Sequence, residues 1–332
     1  MSQTCGGPVK PSSTQEAKQF APGAEGMSLP LFDHHRFGDF RQHTLAASTS
    51  CVGVGVHRGE RVALTLRPAA ADTGVVFVRT DVSDRDNRVP ALADAVVSAV
   101  LSTELANAAG VTVCTVEHLM AALCAAGVDN VLVELDGPEL PIMDGSALAF
   151  SRLIEQAGLR TQSAPRRFIE VTKTVHVGEG DVTASLSPAD GFELDVGIDF
   201  TSAAIGAQRW AGDVTPESFA RELASARTFG FLAQVEALRA RVLCLGGSLD
   251  NAVVVDGDVV VNAEGLRFPD EFVRHKALDC VGDLYLLGAP LLGRMTGERV
   301  GHALNNKLAR ALLADRSAWR MRSFEPAMAQ AG

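Results

Sequence analysis

The chain has 332 residues, enough for two domains of ordinary size, and its 47% hydrophobic and 21% charged residues are the profile of a folded globular protein. A formal net charge of −10 argues against a nucleic-acid binder that relies on a basic surface, although a local basic pocket for a phosphorylated small molecule stays open. No run reaches the roughly eighteen apolar residues that a membrane span needs.

Residues 1–40 are rich in Gly, Pro, Ser and Gln and read as a disordered extension, with Met27 as an alternative start. This stretch has no apolar core of a secretory signal. Its six cysteines (Cys5, Cys51, Cys114, Cys124, Cys244 and Cys280) contain no CxxC pair along the chain, so they read as free thiols and the expected compartment is the cytoplasm. Cys114 would be a conceivable metal ligand, but a small buried hydrophobe is its commoner role.

Order is expected from Arg41. Arg61–Arg67 alternates with the period of two of a strand, with Gly53, Gly55 and Gly59 at turns around it and Pro68 at its end; Val75–Arg79 is a second strand. Residues 115–126 read as a helix with Thr115 as N-cap and Gly127 as stop. A buried strand over 130–135 follows, then a turn through Gly137 and Pro138 into a helix over 146–157. SAPRR at 163–167 is the best linker candidate. Beyond it come strands over 168–177, 182–186 and 192–200, a helix over 217–226, and the irregular ARTFGF. A loop containing Gly246–Gly247 then leads into a strand. A strong helix opens after Pro269 and Asp270 and closes at Gly288, and a last one covers 303–313. Both halves run strands first and helices afterwards. The expected class is α+β, with a first domain over 41–163 and a second over 168–325, each a β-sheet layered against helices.

Ionisable residues concentrate in Glu117–His118, the 275–283 segment and Gly301–His302. His275 and Asp279 are spaced i, i+4, which puts them on one helix face with Cβ atoms about 5–6 Å apart, and Asp283 continues that stripe. A zinc ion accepts imidazole and carboxylate ligands, and catalytic sites use three protein ligands with one position open for water. His118 is the candidate third ligand. Glu117 beside it would act as general base on a water whose pKa the metal lowers. Taken alone, an i, i+4 His/Asp pair is more commonly a surface ion pair. HExxH is absent, and Cys114 rules out HxxEH around His118.

Five motifs, in order, extend the reading: TVEHLMAAL (115–123), PIMDGSALAF (141–150), ARTFGF (226–231), HKALDCVGDLYLLG (275–288) and GHALNNKLARALLAD (301–315). Together they closely resemble the UDP-3-O-acyl-N-acetylglucosamine deacetylases, zinc enzymes that commit lipid A synthesis, over about Thr44 to Trp319. The resemblance implies zinc ligands His118, His275 and Asp279, and Glu117 as general base. His302 would protonate the leaving amine with Asp283 holding its ring, and Thr228 would help hold the oxyanion. Lys276 would face the nucleotide sugar, and Phe229 and Phe231 would line the cleft.

It also implies two domains of similar topology with the active site between them. An insert after ARTFGF, including Leu243 to Leu249, would form an apolar passage for the fatty acyl chain, with Gly246–Gly247 leaving it open. The substrate would be a nucleotide sugar bearing that chain, without nucleic acid, and the protein a monomer. Each residue also has a plainer reading. His302 would cap a helix, Thr228 would be a turn hydroxyl, Lys276 a solvated helix lysine, and Phe229 and Phe231 core. His57 receives no chemistry. Val56 and Ser102 stand where the family usually has Leu and Cys. A zinc amidase for another nucleotide sugar, or a non-catalytic relative, are the alternatives. The second would be marked by loss of a ligand or of the base, and none is missing.

Overall fold

The computed structural model describes residues 40–240 and 243–324. The extension expected over 1–40, with Met27, therefore lies outside the described residues save for Phe40. Two β-sheets enclose two layers of helix. The first sheet runs β2 (Thr49–Val54), β3 (Arg61–Pro68), β9 (Val131–Leu135), β4 (Val75–Arg79), β5 (Arg88–Pro90). All its pairs are antiparallel except β4 with β9. The alternation read in β3 is real: Val62, Leu64 and Leu66 point into the core.

The second sheet runs β12 (Val175–Glu179), β13 (Val182–Ser187), β19 (Leu291–Glu298), β11 (Arg167–Val171), β20 (Trp319–Ser323). β14 (Phe192–Asp199) joins it beside β19, and β15 (Ala207–Asp213) pairs with β14.

Between the sheets lie α1 (Glu117–Ala126) and α2 (Leu148–Ala157), then α5 (Glu271–Tyr285) and α6 (His302–Ala314). α1 packs on α2 and α5, α2 on β2, α5 on β14 and β15, and α6 on β12 and β13. One continuous apolar core runs through all of them. α1 and α5 are buried nearly all round, so the polar residues they carry, Glu117 and His118 on α1 and Glu271, His275, Asp279 and Asp283 on α5, are buried with them. Between β16 (Phe229–Phe231) and its parallel partner β17 (Val253–Asp256) comes α4 (Leu232–Arg239), a βαβ crossover that β18 (Val259–Val260) completes. A small hairpin sheet, β6 (Val96–Ser98), β7 (Glu104–Ala106) and β8 (Thr112–Cys114), delivers the chain to α1.

Several expectations are corrected. The 163–167 stretch is no free linker. Leu159–Pro165 is β10, antiparallel to β1 (Arg41–Leu45), and Arg167 already begins β11. Its polar composition reflects an exposed edge strand, and Arg166 between the two is buried on Asp129 at 2.8 Å. The strand over 168–177 is two strands, β11 and β12. The helix expected over 217–226 is present but shorter and mixed: an α turn, α3 (Pro216–Ser218), capped by Thr215, continues as a π-helix over Phe219–Leu223. In the second half the strands do not all come first, because β19 lies between α5 and α6 in sequence and at the heart of the sheet.

Thr115 is not an N-cap. Its φ of 61° turns a β-branched residue into the left-handed region, and α1 begins after Val116 without a side-chain cap. The turn is pinned by the Thr115 N–H to Thr103 O, 3.0 Å, and by the Thr115 hydroxyl on Glu139. Gly127 ends α1 as expected.

α5 crosses α1 at Gly282, where a Cβ would lie 2.0 Å from the Glu117 carbonyl oxygen and 3.1 Å from Ala121 N. Only a glycine lets the two backbones approach so closely. Gly282→Ala is expected to cost about 1–3 kcal/mol or more and to lower the unfolding midpoint in a thermal melt. A melt like that of the parent would show that the crossing is not this tight.

Candidate metal centre

The crossing of α1 and α5 brings three ligand atoms together. His118 comes from the first turn of α1; His275 and Asp279 lie one turn apart on α5. Their donor atoms all lie within 4.8 Å of one another, and the three side chains are buried. Asp279 Oδ1 is 3.4 Å from His275 Nε2 and 3.7 Å from His118 Nε2. Those separations suit the edges of a coordination tetrahedron with bonds of about 2.1 Å.

Two further observations support a cation there. Asp279 Oδ1 is buried with no hydrogen-bond partner, a costly state for a carboxylate oxygen unless an ion takes its lone pairs. Burial, and then the charge on His275, push the His118 pKa down to about 3, and burial also lowers that of His275. Both shifts favour the neutral imidazole, the form that can donate a lone pair. His275 Nδ1 donates to the Ala226 carbonyl at 3.1 Å, which turns Nε2 toward Asp279.

A second pair flanks the three. Glu117 Oε1 lies 3.8 Å from His302 Nε2, and His302 Nε2 is also 3.7 Å from Asp279 Oδ2. His302 Nδ1 donates to Asp283 Oδ2 at 2.9 Å, so the i, i+4, i+8 stripe of α5 orients this ring as well. Burial pushes the Glu117 pKa up to about 7, with Asp283 and Asp279 adding to it and His302 opposing. Burial disfavours the His302 imidazolium, but Asp283, Asp279 and Glu117 together outweigh it and raise the pKa to about 9. A carboxylate whose affinity for a proton is raised thus lies 3.8 Å from an imidazole whose charged form is favoured.

The remaining predicted residues sit nearby with different partners. Lys276 Nζ bonds Asp279 Oδ2 at 2.9 Å and lies 5.6 Å from the Phe229 ring centroid, so it is no solvated helix lysine. Thr228 is held by backbone bonds to Gly145 O, 2.7 Å, and from Val253 N, 2.8 Å. Its segment is tied to the centre on both sides, by the Ala226 carbonyl on His275 and by the Phe229 ring 6.3 Å from the His275 ring. Phe229 and Phe231 form an aromatic group with Phe200, at 5.7 and 5.9 Å. Cys114 stands outside the ligand group, its thiol pushed up to about 12 by burial.

Two residues given no role in the sequence reading enter the site. Thr103 bonds both Glu117 and Asp283, and nothing in its Ala- and Val-rich surroundings signals it. His57 lies within electrostatic range of His302, its N–H on Glu139 at 2.7 Å; only its place in GVGVHRG hinted at this.

Fold and site together define a layered α+β protein with a buried His–His–Asp group that could hold a metal ion, beside a buried Glu and His. The profile of the UDP-3-O-acyl N-acetylglycosamine deacetylase family matches residues 42–314, and the chain belongs to that family. Similar proteins named UDP-3-O-acyl-N-acetylglucosamine deacetylase come from Phenylobacterium zucineum, 57% identical over 290 residues (87% of this chain, 99% of that protein), and from Myxococcus xanthus, 51% identical over 286 residues (86% and 90%). A third, from Vibrio parahaemolyticus, is 48% identical over 287 residues (86% and 94%).

Asp279→Ala is expected to abolish tight metal binding, read as loss of near-stoichiometric metal in elemental analysis of the purified protein. Full metal content in that variant would remove Asp279 from the ligand set.

Proposed function

We propose that the chain hydrolyses the N-acetyl group of UDP-3-O-acyl-N-acetylglucosamine to acetate and the free amine, the committed step of lipid A biosynthesis, with zinc as its metal. The observation that carries the reading is the Glu117–His302 pair, 3.8 Å apart and both adjoining the His118–His275–Asp279 centre. Family membership and the deacetylase names of relatives at 48–57% identity support the substrate. The all-nitrogen and oxygen donor set supports zinc.

Zinc would polarise the amide carbonyl and lower the pKa of a water at the site. The chain's own groups do the rest. Glu117 takes a proton from the attacking water through Oε1, because Oε2 is occupied by the Thr103 N–H. Thr228 offers its hydroxyl to the oxygen that becomes negative as the carbonyl carbon turns tetrahedral. His302 Nε2 gives its proton to the nitrogen, so the C–N bond breaks to a neutral amine, and Asp283 keeps the ring in the tautomer that can do so. Lys276 neutralises Asp279 and stands at the side where the nucleotide sugar would lie.

The acyl chain would run along the crossover insert. The Phe200–Phe229–Phe231 group and the exposed Leu245 and Leu249 support that path. Gly246 also has a packing role. A Cβ on Gly246 would meet Gly55 O at 2.2 Å, so the insert is stitched to the turn after β2. In this reading 41–163 and 168–325 are two domains of similar topology that share the centre. A monomer suffices, since one chain supplies every group. A cytoplasmic location is supported by the free thiols of Cys51, Cys114, Cys124, Cys244 and Cys280.

The direct test is acetate release and free-amine formation from the nucleotide-sugar substrate by zinc-loaded protein. No turnover would refute the reading. Glu117→Gln is expected to keep its metal and lose roughly 10²–10⁴ in kcat. The pH profile follows from the two pKa values. Glu117 works deprotonated, so the rate rises through about 7. His302 works protonated, so it falls above about 9. Asp283→Asn removes a charge that raises the His302 pKa, and the alkaline limb is expected at lower pH; an unmoved limb would assign it to another group.

A further inference from the structure

We propose that Thr103 is a positioning residue that sets the base and the acid of the reaction in register. The proposal rests on the deacetylase reading above. Thr103 is 1% exposed and has two bonds that reach carboxylates on different helices. Its N–H donates to Glu117 Oε2 on α1 at 3.1 Å, and its hydroxyl to Asp283 Oδ1 on α5 at 2.6 Å, the length of a charge-assisted bond. Asp283 Oδ2 in turn accepts His302 Nδ1 and Asn305 Nδ2 from α6, both at 2.9 Å. One residue thereby touches the base directly and the acid through a single carboxylate.

The hairpin places it there. β7 and β8 pair from Glu104↔Cys114, and the next rung is the Thr115 N–H on the Thr103 carbonyl at 3.0 Å, the bond that also holds the left-handed turn at Thr115. With Oε2 of Glu117 occupied, Oε1 is the oxygen that looks toward His302. With Oδ1 of Asp283 occupied, that carboxylate cannot swing, and the His302 ring keeps its Nε2 toward the centre. The two bonds are separable by mutation, because a side-chain change removes the hydroxyl and leaves the N–H.

The test uses the full-length, zinc-loaded protein. Thr103→Val is near-isosteric and lacks only the hydroxyl. We expect kcat to fall roughly 10- to 100-fold with KM and metal content unchanged, the scale of losing an outer hydrogen-bond partner, and Thr103→Ser to recover most of it. In an Asp283→Ala background the same Val change is expected to add no further loss, because the carboxylate it acts through is gone. Wild-type kcat in Thr103→Val, or an equal loss in both backgrounds, would overturn the proposal. So would failure of both Thr103→Val and Thr103→Ala to fold while Thr103→Ser folds, which would make the hydroxyl a folding requirement. A parent enzyme without deacetylase turnover would instead refute the function reading on which this rests.

Discussion

The close crossing of α1 and α5 is the constraint on which the site depends. At Gly282 the α5 backbone meets the Glu117 carbonyl with no side chain between them. His118 on one helix and His275 with Asp279 on the other are then near enough for one cation. A larger residue at the crossing would lever the helices apart, and coordination bonds of about 2.1 Å tolerate little of that. The surrounding layers hold the crossing closed: α1 is backed by α2, which lies on β2, and α5 by β14 and β15. The core therefore aligns His118 with His275 and Asp279, so the packing contacts also set the geometry of the site.

Burying Glu117, His118, His275, Asp279, Asp283 and His302 together would ordinarily be prohibitive. The cost is offset by a closed set of partners. The histidines that face a cation are driven neutral by burial, whereas His302, surrounded by three carboxylates, is driven toward its charged form. Burial opposes a charged Asp279, but His275 and Lys276 hold its carboxyl well below the ordinary range. Its Oδ1, buried without a hydrogen-bond partner, carries the lone pairs that a cation would complete. Imidazoles with opposite shifts thus stand around one carboxylate, Asp279.

Within the second half, the buried Arg227 joins this centre to the crossover insert. Its guanidinium and N–H meet Glu271 at the start of α5, at 2.9 and 3.0 Å. The next residues, Thr228 and Phe229, run beside His275. The strand that leads into the insert is thus anchored to the helix that carries His275 and Asp279.

Local rules in the sequence determined a good deal. The period of two in β3, the glycine after α1, the helix that opens after Pro269 and Asp270 and the i, i+4 placement of His275 and Asp279 all depend on neighbours within a few residues, and all are present in the structure. The five motifs in order added His118, Glu117, His302 and Asp283 as members of one set. Signals that depend on distant partners were misread or silent. Residues 163–167 look like a linker because an exposed edge strand carries the same polar composition. Thr115 looks like a cap because its left-handed turn is set by Thr103 and Glu139, 12 and 24 positions away. Thr103 itself carries no local mark, since its meaning lies in a bond to Asp283, 180 positions along the chain. Sequence spacing determines which side chains share a helix face; only the packing of one helix on another decides which faces meet, and that meeting makes the centre.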